Sequence, residues 1–156
     1  MIFQTILVKS TCTAPLHDHH HLRFIRKIEY CAAYHLRRAI ILPAQAIALV
    51  REPMPWQELP LVGLASLEVT DEVENGVRIY TSKLTATLCK PFLHPKRPSA
   101  FRLTDVQGKL YLLGTAQIPY PLISQTVSNE DNAHSQTSSV ITIQHKTENS
   151  LINIKA

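Results

Sequence analysis

The stretch from residue 64 to residue 114 constrains the fold most, because it has the pattern of two successive antiparallel hairpins. A charged turn that ends in Asn75-Gly76 separates two β-prone runs, and a turn closed by Gly108 separates two more. Asn-Gly and glycine-closed turns between alternating runs are the strongest short-range signals of a hairpin. The predicted strands are 64–70, 77–90, 101–103 and 109–113, with turns at 71–76 and 104–108.

The long strand 77–90 changes the phase of its alternation. Val77 and Ile79 lie in one phase, whereas the apolar residues from Leu84 onward lie in the other. A pattern of period two changes phase only through an extra residue or a change of partner. We therefore predict a bulge or bend between Tyr80 and Lys83.

Further strands are predicted on both sides of these hairpins. Residues 22–31 alternate as a half-buried strand whose inner phase is broken at Arg26. The Ala-rich run 44–51 is the best helix candidate, with Ile47 and Val50 on one face. The last two strands are expected to form a hairpin across residues 146–149, which would leave the C-terminal strand at an edge. The remaining predicted strands are 2–8, 40–42, 122–127, 140–145 and 151–155.

These elements predict a mainly β fold, an antiparallel β-sandwich or partly open barrel with one short helix around 44–51 and long loops. The 156 residues are expected to form a single domain, 1–156, because 45% hydrophobic and 18% charged residues are globular values. The proline-broken run 90–99 and the polar run 128–138 are predicted to be exposed loops. Ten prolines against four glycines agree with many turns and few long helices.

Cysteine usage and hydropathy indicate a soluble protein in a reducing compartment. Cys12, Cys31 and Cys89 are odd in number and widely spaced, which disfavours a disulfide framework. The apolar start at residues 2–8 is short and lacks a basic beginning, so a secretory signal is not predicted. No run approaches the roughly 20 apolar residues of a membrane span.

The histidine cluster at residues 17–21 is the most tempting chemical feature. Spacing of two residues on a strand would place His17, His19 and His21 on one face, and imidazole is a common transition-metal ligand. A zinc site usually needs a further ligand from elsewhere, and none is indicated. A solvated polar loop is the favoured interpretation, and no metal is predicted.

Basic residues supply the candidate contacts with a partner. The net charge of +4 permits binding of anions without predicting nucleic-acid binding. One group contains Arg23, Arg26, Arg37 and Arg38, and it could form an anion-binding patch with Lys27, Tyr30 and Tyr34. An ordinary outer face of a sheet is the favoured interpretation of this group. The other group lies on the loop 90–99, for which a partner contact and a merely solvated loop are equally weighted. The candidate partner-contact residues are Arg23, Arg26, Arg37, Arg38, Lys90, His94, Lys96 and Arg97.

No motif of catalysis or cofactor binding is present. The glycine-rich nucleotide loops, the GxSxG elbow, the HExxH helix and paired cysteine ligands are all missing from the sequence. Cys89 with a distant histidine could serve as nucleophile and base, but three cysteines and eight histidines offer such pairs by chance. We therefore predict no catalytic residues and no cofactor.

Several segments carry a resemblance to a known class of protein. They are Trp56, LASLEV at 64–69, NGVRIY at 75–80, FRLTDVQGKLYLLGT at 101–115, and Tyr120-Pro121. Together they resemble small β-rich proteins encoded in virion-structure regions of phages and prophages of Bacteroidetes-type bacteria. The resemblance covers the middle and end of the chain, and the histidine-rich segment has no counterpart in it.

The resemblance implies a non-enzymatic tail or head–tail connector subunit that assembles into rings. Its expected partners are copies of itself and neighbouring virion proteins, and its expected location is the virion, assembled in the host cytoplasm. The resemblance identifies no functional residues. The alternative is a small barrel that binds single-stranded nucleic acid through its arginines and aromatic residues. A metal-dependent enzyme centred on residues 17–21 ranks third.

Overall fold

The computed structural model of the chain describes residues 21–128 and 138–155. The predicted strand 2–8, Cys12, most of the histidine cluster and most of the polar run 128–138 lie outside the described residues. The strands are β1 (His21–Ala32), β2 (Ile40–Leu42), β3 (Ile47–Leu49), β4 (Gln57–Glu58), β5 (Ala65–Glu74), β6 (Val77–Leu88), β7 (Ser99–Asp105), β8 (Leu110–Leu113), β9 (Leu122–Ser128), β10 (Ser138–Thr147) and β11 (Ile152–Lys155). Two 3-10 helices, η1 (Ala33–Arg38) and η2 (Pro43–Gln45), complete the described part.

The strands form one open mixed sheet, which confirms the predicted mainly β class. Their order is β2-β3-β11-β8-β7-β1-β5-β6-β10-β9, and β4 pairs with β1 beside this path. Every pairing is antiparallel except that of β3 with β11. Among the described residues, β2 and β9 are the two strands at the ends of the sheet. None of the helices in this part of the chain is long and apolar enough to span a membrane.

The sheet curls so that distant strands share one core. Four strands separate β8 from β10, yet Tyr111 and Leu113 of β8 belong to the same buried cluster as Ile141 and Ile143 of β10. Strands lie about 4.8 Å apart, so a flat sheet would hold these side chains more than ~20 Å from one another. A second, smaller core lies under η1 around Leu36. The curl leaves an opening between the two ends of the sheet.

The β5–β6 hairpin forms where the sequence predicts it, with a shorter turn. Asn75 and Gly76 have φ of 51° and 79°, the two positive values that a two-residue type I′ turn requires. Glu74 pairs directly with Val77, so the charged run 71–74 belongs to β5 and not to the turn. The predicted bulge between Tyr80 and Lys83 is wrong, because β6 keeps a continuous register with both β5 and β10.

The phase break at Arg26 corresponds to a real irregularity. The register between β1 and β7 shifts between Ile25 and Lys27, so both Ile25 and Ile28 reach the buried face although they are three residues apart. The extra residue is thus accommodated in β1, between β5 and β7.

The predicted helix over 44–51 is wrong. A single 3-10 turn, η2, occupies its start, Ala46 adopts a left-handed conformation with φ of 52°, and β3 follows. β3 is hydrogen-bonded to β2 on one side and to β11 on the other. Two strand partners outweigh the helix propensity of a short alanine-rich run, which is a weak preference.

The predicted C-terminal hairpin is also wrong. β10 and β11 do not pair with each other; β11 lies between β8 and β3. The C-terminal strand is therefore interior to the sheet and not at its edge.

Candidate functional site

The predicted arginines fall into two groups along β1. Arg23 lies near the start of the strand and Arg26 in its middle, while Arg37 and Arg38 lie on η1 beyond its end. At ~3.3 Å per residue, Arg26 lies about 20 Å and Arg23 about 30 Å before the end of β1. The structure therefore does not bring these four arginines into one patch.

The first group is used locally, around Asp105. Arg26 donates from Nε to the backbone oxygen of Asp105 at 3.1 Å, and the Arg23 guanidinium lies 5.3 Å from the centre of the Tyr111 ring. The buried Asp105 carboxylate accepts hydrogen bonds from two backbone amides and from the Tyr111 hydroxyl. Burial opposes ionisation, but these hydrogen bonds and the charge of Lys109 lower the pKa of Asp105. This group stabilises the β7–β8 turn.

The second group forms a basic corner, defined here as Tyr34, His35, Arg37, Arg38 and Arg97. Arg97 of the loop between β6 and β7 lies 5.6 Å from the centre of the Tyr34 ring, and the Tyr34 and His35 rings are 4.1 Å apart. The Ala33 amide donates to the Pro98 carbonyl at 2.8 Å, which holds the loop against η1. Tyr34 is 44% exposed, so the corner offers an aromatic ring with Arg97 beside it and two further arginines on the same 3-10 helix.

The loop over residues 89–98 is exposed, and the buried Phe92 anchors it in addition to its bond to η1. Lys90, His94 and Lys96 are exposed. Phe92 is buried and contacts the Tyr30 ring edge-on at 4.9 Å. The Gln125 side-chain amide accepts from the Phe92 nitrogen at 2.8 Å and donates to the Phe92 oxygen at 3.3 Å. This anchor was not predicted from the sequence, although Phe92 is an apolar residue inside a basic, proline-rich run.

A buried carboxylate lies at the pairing of β1 with β7. Glu29 forms ion pairs with Lys27 and Arg102, and Arg102 also bonds Glu52 at 2.8 Å and lies 4.8 Å from the Trp56 ring centre. Burial raises the pKa of Glu29, but the hydrogen bonds and charges of Lys27 and Arg102 outweigh it and lower the pKa below its usual value. No sequence motif pointed to this network, because its members lie on three separate segments, β1, β7 and the connector between β3 and β4.

The opening of the curled sheet contains a cleft of about 510 Å³. Its floor includes Ser82 of β6 and His145 of β10, which are directly opposite each other in the ladder. One wall comes from η1 and β2, and the other from residues 115–119. Mouths of barrels are common places for ligand pockets, and this volume lies in their usual range.

His145 is neutral at the bottom of this cleft. Its Nε2 lies 3.0 Å from the Pro119 carbonyl oxygen, which can only accept, so Nε2 carries the proton of the ring. Burial lowers the pKa of His145, and the bond to the carbonyl only partly offsets that effect. No hydrogen bond joins the Ser82 hydroxyl to His145, so the pair lacks the geometry of an activated nucleophile.

The described residues contain two free cysteines, Cys31 and Cys89, and no metal cluster. Over 21–128 and 138–155, no group of three or more histidine, cysteine or acidic side chains could hold a metal ion. Burial raises the pKa of Cys31 to about 11, which keeps it a thiol at neutral pH. Cys89 is exposed and free.

Both end strands of the sheet expose apolar side chains. On β9, Leu122 is 73% exposed; on β2, Ile40 is 58% exposed and Leu42 projects from the same face. Leu49 of β3 lies opposite Ile40 and is also exposed. Within the described part of the chain, β9 bonds only to β10 and β2 only to β3, so each keeps one unpaired backbone edge.

Comparisons of this chain with protein-family models, curated proteins and solved structures gave no match.

Proposed function

We propose that the protein is a non-enzymatic structural subunit that assembles with copies of itself through the edges of its sheet. The observation that carries this proposal is the open sheet with β2 at one end and β9 at the other, each with exposed apolar side chains. Unpaired edges recruit further strands, and soluble proteins usually shield them with charges, prolines or a covering element. Pairing between copies would shield them here.

The two edges differ, and that difference favours head-to-tail assembly. β9 has seven residues and β2 has three, and they lie at opposite ends of the sheet. A contact between unlike surfaces of neighbouring subunits is heterologous, and it produces a ring when the rotation closes. A ring-forming β-rich subunit agrees with the resemblance to phage virion proteins. On this proposal the chain is a tail or head–tail connector component, assembled in the bacterial cytoplasm beside other virion proteins.

The oligomeric mass of the purified chain tests this proposal. We expect light scattering after size-exclusion chromatography to give a multiple of 17.6 kDa. Leu122→Lys or Ile40→Lys should shift the protein toward monomer, because a lysine on an edge strand opposes strand addition. Val106→Lys is the matched control, since Val106 is 53% exposed on the β7–β8 turn and at least two strands separate this turn from either edge strand. A wild-type protein that stays monomeric at high concentration would contradict the proposal.

A second function, binding of single-stranded nucleic acid, is favoured by the basic corner. An exposed tyrosine flanked by arginines offers a base a stacking surface and its phosphates a positive field. Binding of a labelled oligonucleotide should then weaken steeply with salt, and Arg97→Gln should reduce the slope by about 0.7 on a log–log plot. Arg26→Gln, in the middle of β1, is the control. Binding that ignores salt would rule this function out.

A further inference from the structure

The cleft lined by η1, β2, β6, β10 and residues 115–119 has the chemistry of a ligand site. Much of its lining is apolar, contributed by Ile41 and Leu151 among others, while Ser82 and Asn149 add hydrogen-bonding groups. No acidic side chain is among the described residues that line it. An anionic ligand would therefore meet no repulsion from the cleft wall.

Arg37 is the one charged residue that the described part of the chain contributes to this lining. It is exposed, and within the described residues it forms no hydrogen bond, ion pair or ring contact. The other arginine at the end of η1, Arg38, faces a separate and smaller cavity of about 200 Å³ that includes Glu52. Arg37 alone thus offers an uncompensated guanidinium to a molecule inside the cleft, and a guanidinium binds a carboxylate through two parallel hydrogen bonds.

His145 defines what the floor of the cleft accepts. Burial lowers the pKa of the ring more than its bond to the Pro119 carbonyl raises it, so the ring is neutral near pH 7 and does not attract a second negative charge. The floor therefore suits an uncharged group, whereas the wall with Arg37 suits a single anion.

We propose that this cleft binds a small amphipathic carboxylate, with its carboxylate on Arg37 and its apolar body against the inner wall. A volume of about 510 Å³ accommodates a hydrocarbon chain of medium length. Neutral lipids lack the anion that Arg37 pairs with, and a molecule with several charges finds no further cation among the described residues of the lining.

Calorimetric titration of the full chain with decanoate tests this site. Decanol and decyltrimethylammonium serve as neutral and cationic probes with the same hydrocarbon body. We expect decanoate to saturate one site per chain and to bind at least about tenfold more tightly than decyltrimethylammonium, because a hydrogen bond to a charged group contributes strongly once it is partly desolvated.

Two variants separate the cleft from the rest of the surface. Arg37→Gln should weaken decanoate at least about tenfold and leave decanol unchanged, whereas Arg38→Gln, the adjacent residue outside the cleft, should change neither. Ser150→Trp should abolish binding of both by filling the cleft, with circular dichroism confirming that the sheet is intact. If Ser150→Trp does not fold, Ala116→Phe fills the same space.

Three outcomes would overturn the proposal. They are the absence of saturable binding of decanoate to the wild type, equal loss of affinity in Arg37→Gln and Arg38→Gln, and binding of decyltrimethylammonium as tight as that of decanoate. None of these results depends on the oligomeric state, so a monomer that binds decanoate supports this site even where edge assembly fails.

Discussion

Glu29 and His145 are both buried ionisable residues, but the two regions around them accommodate burial in different ways. Glu29 keeps its charge because Lys27 and Arg102 pair with it. His145 has no charged partner among the described residues, and burial lowers its pKa although its bond to the Pro119 carbonyl opposes that effect. Charge is compensated at the β1–β7 pairing and avoided in the cleft.

The two regions also differ in packing. Side chains fill the space around Glu29, whereas the space beside His145 is an open cleft. The Glu29 carboxylate and the Arg102 guanidinium lie on the neighbouring strands β1 and β7, and the Trp56 ring of the connector before β4 lies against that guanidinium. Around His145, one hydrogen bond borders a cleft of about 510 Å³. The stability of the region around Glu29 should therefore depend on the residues that pair with Glu29. The stability of the region around His145 should depend on pH and on the segment that carries Pro119.

The largest effect is expected from removing the cation beside Glu29. Arg102→Met keeps much of the side-chain volume but leaves a buried carboxylate with Lys27 as its remaining partner, and it also removes the contact with Trp56. Breaking a buried pair from one side is strongly destabilising, so we expect the free energy of unfolding to fall by about 3 kcal/mol. Urea denaturation measures this change.

An exposed ion pair provides the control for that variant. Lys146 bonds Glu74 at 2.7 Å, and both side chains are about half exposed. Lys146→Met should leave the urea midpoint unchanged within error, because solvent screens such pairs. Similar losses in Arg102→Met and Lys146→Met would show that burial does not distinguish the Glu29 network.

The next largest effect is expected at Gly114, which positions the segment that carries Pro119. Gly114 has φ of 89°, and a Cβ there would lie 2.8 Å from two ring carbons of Pro121. Gly114→Ala combines this clash with a left-handed backbone, so we expect a loss of about 2 kcal/mol or more. Hydrogen exchange should increase over residues 115–120 and stay unchanged in β1 and β7.

Gly108 is the control for Gly114, because the two glycines have nearly the same φ. Its φ is 87°, and a Cβ there would meet nothing within 4 Å. Gly108→Ala should therefore cost about 1 kcal/mol, from the backbone conformation alone. Equal losses in urea denaturation for the two alanine variants would contradict the close contact with Pro121.

The smallest effect is expected from the titration of His145. Because burial lowers its pKa in the folded protein, the unfolded chain binds the proton more tightly, and stability falls as the pH drops through the unfolded value near 6.5. We expect the melting temperature of the wild type to decrease between pH 7 and roughly pH 5. His145→Gln should reduce that decrease, and parallel curves for the two proteins would argue against a titrating His145.

Glu29 should act in a lower pH range. Its pKa is lowered in the folded protein, so its contribution is present above the unfolded value near 4.5 and is lost as the pH falls through the folded value. Glu29→Gln should therefore reduce the dependence of the melting temperature on pH below about pH 4.5 and leave it unchanged near neutrality. A change confined to neutral pH would contradict this assignment.

Local features of the fold were predictable from the sequence, because local sterics determine them. The Asn75-Gly76 turn follows from two residues that tolerate positive φ, and the irregularity in β1 follows from the phase break at Arg26. β3 was not predictable in this way: its residues favour a helix locally, and strands distant in sequence decide its state. The position of β11 was missed because it depends on partners far along the chain.

The candidate sites were less predictable than the fold. The arginines singled out by composition separate into two groups along β1, since a count of basic residues contains no information about distance. Arg37, Ser82 and His145 line the same cleft only because the sheet curls, and no spacing of residues in the sequence indicates that curl. The role of Phe92 as the anchor of its loop was not predictable either, because it depends on the side-chain amide of Gln125 in β9.

The position of β11 has a consequence for the order in which the protein folds. Asn153 of β11 bonds Ala46, 107 residues earlier in the chain. The ribosome therefore produces β2 and β3 long before the strand that joins them to the sheet, and the ribbon they form has to wait for residues 152–155 to leave the exit tunnel. Nascent chains arrested before that point should expose this ribbon to chaperones, and its incorporation should be one of the last steps of folding.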